Sequence, residues 1–132
     1  MIGLYVSMYL TQSEMEIMQA YWKYNKPMSL SELIEVSPDR TWKDRSGFSI
    51  INNLIKKGFL KEESYIHSGK TIARTFSPIM SCTEYMISQW GDYSGNIKFS
   101  QLFAGLLGNQ KMEADDIREL DKLIEKRKKD LK

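Results

Sequence analysis

The chain of 132 residues carries one cysteine, Cys82, and one histidine, His67. A lone thiol closes no internal disulfide, and one of each residue leaves no basis for a cysteine-rich metal cage or a cysteine–histidine nucleophile pair. The sequence also lacks the run of roughly eighteen apolar residues that a membrane-spanning helix needs. Met1 to Leu10 has neither the basic start nor the length of a secretory leader, so a cytoplasmic protein without membrane insertion is expected. Charge of one sign is scarce. A net charge of +2 is too small to argue for nucleic acid from bulk electrostatics, and only the local distribution can decide. Adjacent acids occur at Glu62-Glu63 and Asp115-Asp116, but neighbours point apart on a strand or helix and no base or nucleophile accompanies them. The expectation is a protein that is not an enzyme and uses no cofactor or metal.

What is present, 42% hydrophobic and 27% charged residues, suffices for one modest core and an appended segment. Thr11-Gln12-Ser13-Glu14 has the form of a capping box, in which a hydroxyl and a carboxylate each accept from the other residue's amide. The pattern returns at Ser29-Leu30-Ser31-Glu32 and Ser81-Cys82-Thr83-Glu84. The first helix should run to about Trp22, with Met15, Met18 and Trp22 on one face, and stop at Asn25-Lys26-Pro27. The second should end near Val36 and turn at Ser37-Pro38-Asp39. A third is expected from about Trp42 to Lys57, with Gly58 as a left-handed cap and Leu54 against Phe59. Phe59 to Ile66 and Thr71 to Phe76 read as strands joined by His67-Ser68-Gly69-Lys70. Three helices followed by a hairpin is the order of a winged helix. Residues 1–10 alternate apolar with other residues, which fits a strand, although a helical or partly disordered lead-in fits as well; residues 11–78 are expected to form the winged helix-turn-helix DNA-binding domain and residues 79–132 a helical dimerisation domain. The fold class is mostly α with a small β-hairpin wing.

On the third helix, Gly47, Ile50, Ile51, Leu54 and Ile55 share one side, and Arg45, Ser49, Asn52, Asn53 and Lys56 the other. Arg40, Lys43, Arg45, Lys56 and Lys57 face Asp44 alone over this stretch, a surplus that phosphates favour. Taken alone, such a stripe fits a solvated face as well as it fits DNA. With the hairpin beside it, DNA is the expected partner: Arg45, Ser46, Ser49 and Asn52 suit base edges, and Arg40, Lys43, Asn53 and Lys56 suit phosphates, with Thr41 beside them. His67, Lys70 and Arg74 are the wing candidates, although an exposed turn residue without a role fits His67 equally well. A winged module that docks on another protein is the alternative.

Past the hairpin, Tyr85, Phe99, Leu102, Phe103, Leu106, Leu107, Ile117, Leu120, Leu123 and Ile124 lie at helical spacing and need a cover. A second copy provides it most simply, and a two-fold homodimer would suit a palindromic site. One larger helical core is the competing arrangement. Lys126 to Lys129 reads as a solvated helix end rather than a DNA contact.

Leu10 to Met18 with Trp22, Leu30-Ser31-Glu32-Leu33-Ile34 and Ile51 to Leu60 together resemble the penicillinase-repressor family (BlaI/MecI/CopY type). The resemblance implies a homodimeric repressor on a palindromic operator, with a C-terminal helical dimerisation region. Where that family has Thr-Val/Ile-x-Thr and then Arg before Leu, this chain has Ser46-Gly47-Phe48-Ser49 and Asn53-Leu54. Gly47 is expected to weaken the helix, and Asn53 lacks the arginine's charge. Some members are inactivated when a membrane sensor triggers proteolysis at an Asn-Phe bond; Leu102-Phe103 takes that place here, so the resemblance does not carry the cleavage over and leaves a sensor protease open as a partner. The cysteine cluster of copper-responsive members has only Cys82 as a counterpart.

Overall fold

In the computed structural model, which describes residues 9–68, 71–93 and 95–132, the Thr11 hydroxyl accepts from the Glu14 amide at 3.2 Å and the Glu14 carboxylate from the Thr11 amide at 2.8 Å. This capping box opens α1 (Gln12–Tyr24), which ends at Asn25 in a left-handed conformation. The Ser29 and Ser81 boxes likewise open α2 (Leu30–Glu35) and α4 (Cys82–Ser88). Between them lie a 3-10 turn (Asp44–Ser46), α3 (Gly47–Lys57), β2 (Leu60–Ser68) and β3 (Thr71–Pro78). α5 (Phe99–Leu107) and α6 (Ala114–Asp130) follow. The expected strand over residues 1–10 lies outside the described residues except for Tyr9 and Leu10, which have no regular structure.

Two expectations are corrected. The third helix starts at Gly47 instead of Trp42, because Trp42 is buried at the core edge and the chain reaches α3 through the 3-10 turn. The hairpin is longer than anticipated: pairing runs from Leu60↔Pro78 out to Ser68↔Thr71. A further strand, β1 (Met28–Ser29), pairs with Phe76 and Thr75 and sets the antiparallel order β1-β3-β2. A bulge at Glu62/Ser64 shifts the hairpin register. The buried Thr75 hydroxyl fills it, donating to the Ser64 carbonyl and accepting from the Ser64 amide. Bulges add local twist to a ribbon.

The chain divides into a unit that ends at Gly91 and a second from Asp92 to Lys132. Ile17, Met18, Tyr21, Met28, Leu33, Ile51, Leu54, Phe59, Leu60 and Phe76 are fully buried in the first. The Tyr21 hydroxyl donates to the Met28 carbonyl at 2.9 Å, and burial, aided by the Glu32 charge, raises its pKa well above the usual value. Trp22 Nε1 donates to the Met80 carbonyl at 2.9 Å. Tyr85 packs on Trp22 and Phe59 with ring centroids 5.7 Å apart in each case, which takes α4 into this unit. The first unit thus extends beyond the expected boundary at residue 78.

Glu14 is also buried, and Lys57 Nζ reaches its carboxylate at 2.6 Å and the Tyr9 carbonyl at 3.0 Å. Burial alone would raise the Glu14 pKa, but Lys57 and Thr11 outweigh it and hold the pKa below the ordinary 4.5. A depressed carboxylate pKa stabilises the fold above the ordinary value, and that contribution is lost as pH falls through the depressed one. Glu14→Gln is therefore expected to cost about 2 kcal/mol at neutral pH and to flatten the decline in stability below pH 4.5. Denaturant titrations across that range check this; parallel acid limbs for both proteins would contradict it.

Candidate nucleic-acid interface

Gly47, Ile51 and Leu54 turn inward on α3, with Ile50 and Ile55 partly buried beside them. At Gly47 the packing is close: a Cβ there would lie 2.5 Å from Leu30 Cδ1 and 3.3 Å from Trp42 Cζ3. The glycine that the sequence suggests as a weak point is what lets α3 approach α2. Gly58, at φ 86°, ends the helix, and the Phe59 amide donates to the Leu54 carbonyl at 2.9 Å.

This seating leaves Ser49, Asn52, Asn53 and Lys56 exposed on the outer side, with Phe48 exposed on its flank. Lys43 and Arg45 are exposed just before the helix, Arg45 in the 3-10 turn and not on α3, and Ser46 is the half-buried N-cap residue. Among the described residues, the side chains of Lys43, Arg45, Ser49, Asn52, Asn53 and Lys56 have no hydrogen bond or ion pair. They are free to meet a ligand.

Other candidates have structural partners. Arg40 pairs with Asp44, donates to the Ser37 carbonyl at 3.0 Å and lies 5.1 Å from the centroid of the Trp42 ring. Thr41 is held by Glu16, whose carboxylate accepts from its amide at 2.9 Å and from its hydroxyl. Both tie the loop before α3 to the core. Arg74 sits mid-strand, 5.5 Å from the Phe48 ring centroid and 5.3 Å from that of Phe76, with Glu62 at 3.8 Å. The His67 side chain and all of Lys70 lie outside the described residues.

In the second unit, neither α5 nor α6 buries a residue. Phe99, Phe103, Leu106, Leu107, Ile117, Leu123 and Ile124 are exposed, and Leu102 and Leu120 partly so. Phe103, Leu107, Leu120, Leu123, Ile124 and Arg127 line an apolar groove of about 410 Å³. Tyr85 is the exception in the expected association set. It is buried in the first unit, where Trp22 and Phe59 already cover it.

The penicillinase repressor profile matches residues 10–126. The chain belongs to that family. It is a winged-helix, DNA-binding transcription regulator of the repressor type, with β2 and β3 as its wing. This repressor-family chain is 28% identical over 116 residues to a Latilactobacillus sakei protein described as "Uncharacterized 16.5 kDa protein in ptsI 3'region", covering 87% of this chain and 77% of that protein. It is similar to the solved structure of the adhesin competence repressor from Streptococcus pyogenes, with 15% identity, a TM-score of 0.41, and coverage of 94% of this chain and 82% of that one. Among the described residues no helix is long and apolar enough to cross a membrane.

Sequence patterns missed Phe48, the Glu16–Thr41 contact and the role of Gly47. An aromatic residue out of phase with Ile51 and Leu54 was the available signal for the first; the other two join distant segments. Gly47→Ala should lower stability by about 1 kcal/mol, although alanine is the better helix former. Thermal melting tests the sign, and an unchanged or higher midpoint would refute the packing role.

Proposed function

We propose that the chain represses transcription in the cytoplasm as a homodimer that occupies a palindromic operator, with one α3 in each major-groove half-site. The observation that carries this is the outer side of α3, where side chains suited to base edges and phosphates stand without partners among the described residues. Arg45, Ser46, Ser49 and Asn52 are the base readers, since arginine suits guanine and asparagine suits adenine. Lys43, Lys56 and Asn53 hold phosphates, and the hairpin adds flanking contacts. Arg40 and Thr41 contribute by fixing the loop that presents Lys43 and Arg45.

The second copy is proposed for α5 and α6 because their apolar side chains are only partly covered and none is buried in those helices. Burial of such side chains contributes roughly 1.5–3 kcal/mol each. A dimer places two recognition helices about one DNA turn apart, which a palindrome matches. Release by a sensor protease at Leu102-Phe103 would require α5 to open, since both residues lie inside that helix.

Selection from random duplexes is expected to enrich a palindrome, and failure to enrich one overturns the proposal. On the enriched site, Arg45→Ala should reduce discrimination between sequences. Lys56→Ala should weaken all sequences alike and lower the slope of log affinity against log salt by about 2, one phosphate per protomer. Leu123→Asp, at a side chain 62% exposed, should give a monomer in sedimentation velocity. A persistent dimer would remove α6 from the interface.

A further inference from the structure

Phe48 is an apolar ring among hydrogen-bonding groups. It is 49% exposed, and on α3 it has Asn52 one turn on, at the four-residue spacing that makes helix side chains neighbours, so it stands on the flank of the polar side. It is not part of the buried row of Gly47, Ile51 and Leu54. A half-exposed aromatic gives up burial that would otherwise stabilise the fold.

Its orientation is held from the wing. The Arg74 guanidinium lies 5.5 Å from the Phe48 ring centroid and 5.3 Å from that of Phe76, with Glu62 at 3.8 Å. Cation–π contacts of this kind restrain the ring. Glu62 offsets the arginine charge, so the group serves better as a support for Phe48 than as a free phosphate contact. The ring is thus pre-ordered, and a ligand need not meet the full entropic cost of fixing it. Phe48 is the second residue of α3, at the N-terminal end that faces base edges in helix-turn-helix proteins. The apolar group on the major-groove edge is the thymine C5 methyl, for which phenylalanine is a suitable contact.

We propose that Phe48 is a specificity-determining residue that packs its ring on the C5 methyl of one thymine in each half-site, with Arg74 as its positioning residue. This rests on the operator reading proposed above. It adds a non-hydrogen-bonding element to the recognition set, one that distinguishes thymine from cytosine by a methyl group and would also accept 5-methylcytosine.

The test uses the full chain and the duplex it enriches. Each thymine is replaced in turn by deoxyuridine, which removes the methyl and keeps the pairing edge. The wild type should lose affinity about fourfold at one thymine per half-site. Phe48→Ala should show no difference between thymine and deoxyuridine there, and Phe48→Leu should retain part of it. If Phe48→Ala keeps the full difference at every thymine, or the wild type shows none, the proposal fails while operator reading stands. If no duplex is enriched, operator reading fails and this inference with it. A readout independent of any variant is 5-iododeoxyuridine, whose halogen occupies the methyl position. At the sensitive thymine, ultraviolet irradiation should cross-link it to the peptide containing Phe48; cross-linking only to other peptides overturns the assignment.

Discussion

At Gly47, α3 comes close enough to α2 that Leu30 and Trp42 occupy the space a side chain would need. The contact, with buried Ile51 and Leu54, seats one face of α3 on the core. Once Gly47, Ile51 and Leu54 face the core, Ser49, Asn52, Asn53 and Lys56 have only solvent to face. A larger residue at position 47 would require the Leu30 side chain to shift and would crowd Trp42. The 3-10 turn and the buried Trp42 serve the same end by delivering the chain to the helix start at one place.

Charge is sorted by the same packing. Of Arg40, Lys43, Arg45, Lys56 and Lys57, the first is bound by Asp44 and the Ser37 carbonyl, and the last by buried Glu14. A cation already paired within the fold must lose that partner before it gains a phosphate, so it adds little to counterion release. Lys43, Arg45 and Lys56 remain. Glu14 has two structural tasks, since one carboxylate completes the capping box of α1 and anchors the last turn of α3. A buried carboxylate is tolerated there because its oxygens have donors to accept from.

The two units differ in how they satisfy their apolar residues. The first has a closed core that takes in Tyr85 from α4, so that side chain has little area left for a partner. The second has two amphipathic helices that bury none of their own residues. Its groove along Phe103, Leu107 and Leu123 is the surface that association would cover.

Three helix starts were legible in the sequence because a capping box is a local device: Thr11, Ser29 and Ser81 need partners only three residues away. The glycine cap at Gly58, the hairpin and the apolar period of α3, α5 and α6 follow from the same short-range chemistry. The resemblance to a repressor family rested on the order of these devices. β1 was too short to show a period, and the bulge at Glu62/Ser64 depends on Thr75 from the opposite strand. By itself, then, the sequence determined the capped helices, the hairpin and the polar composition of α3, because those are set within a turn or two of chain. Only the tertiary structure decided which cations stay unpaired, that Gly47 is a contact and not a defect, that Tyr85 belongs to the first core, and that Phe48 stands outside supported by Arg74. Each of these depends on residues far apart in the chain meeting in space.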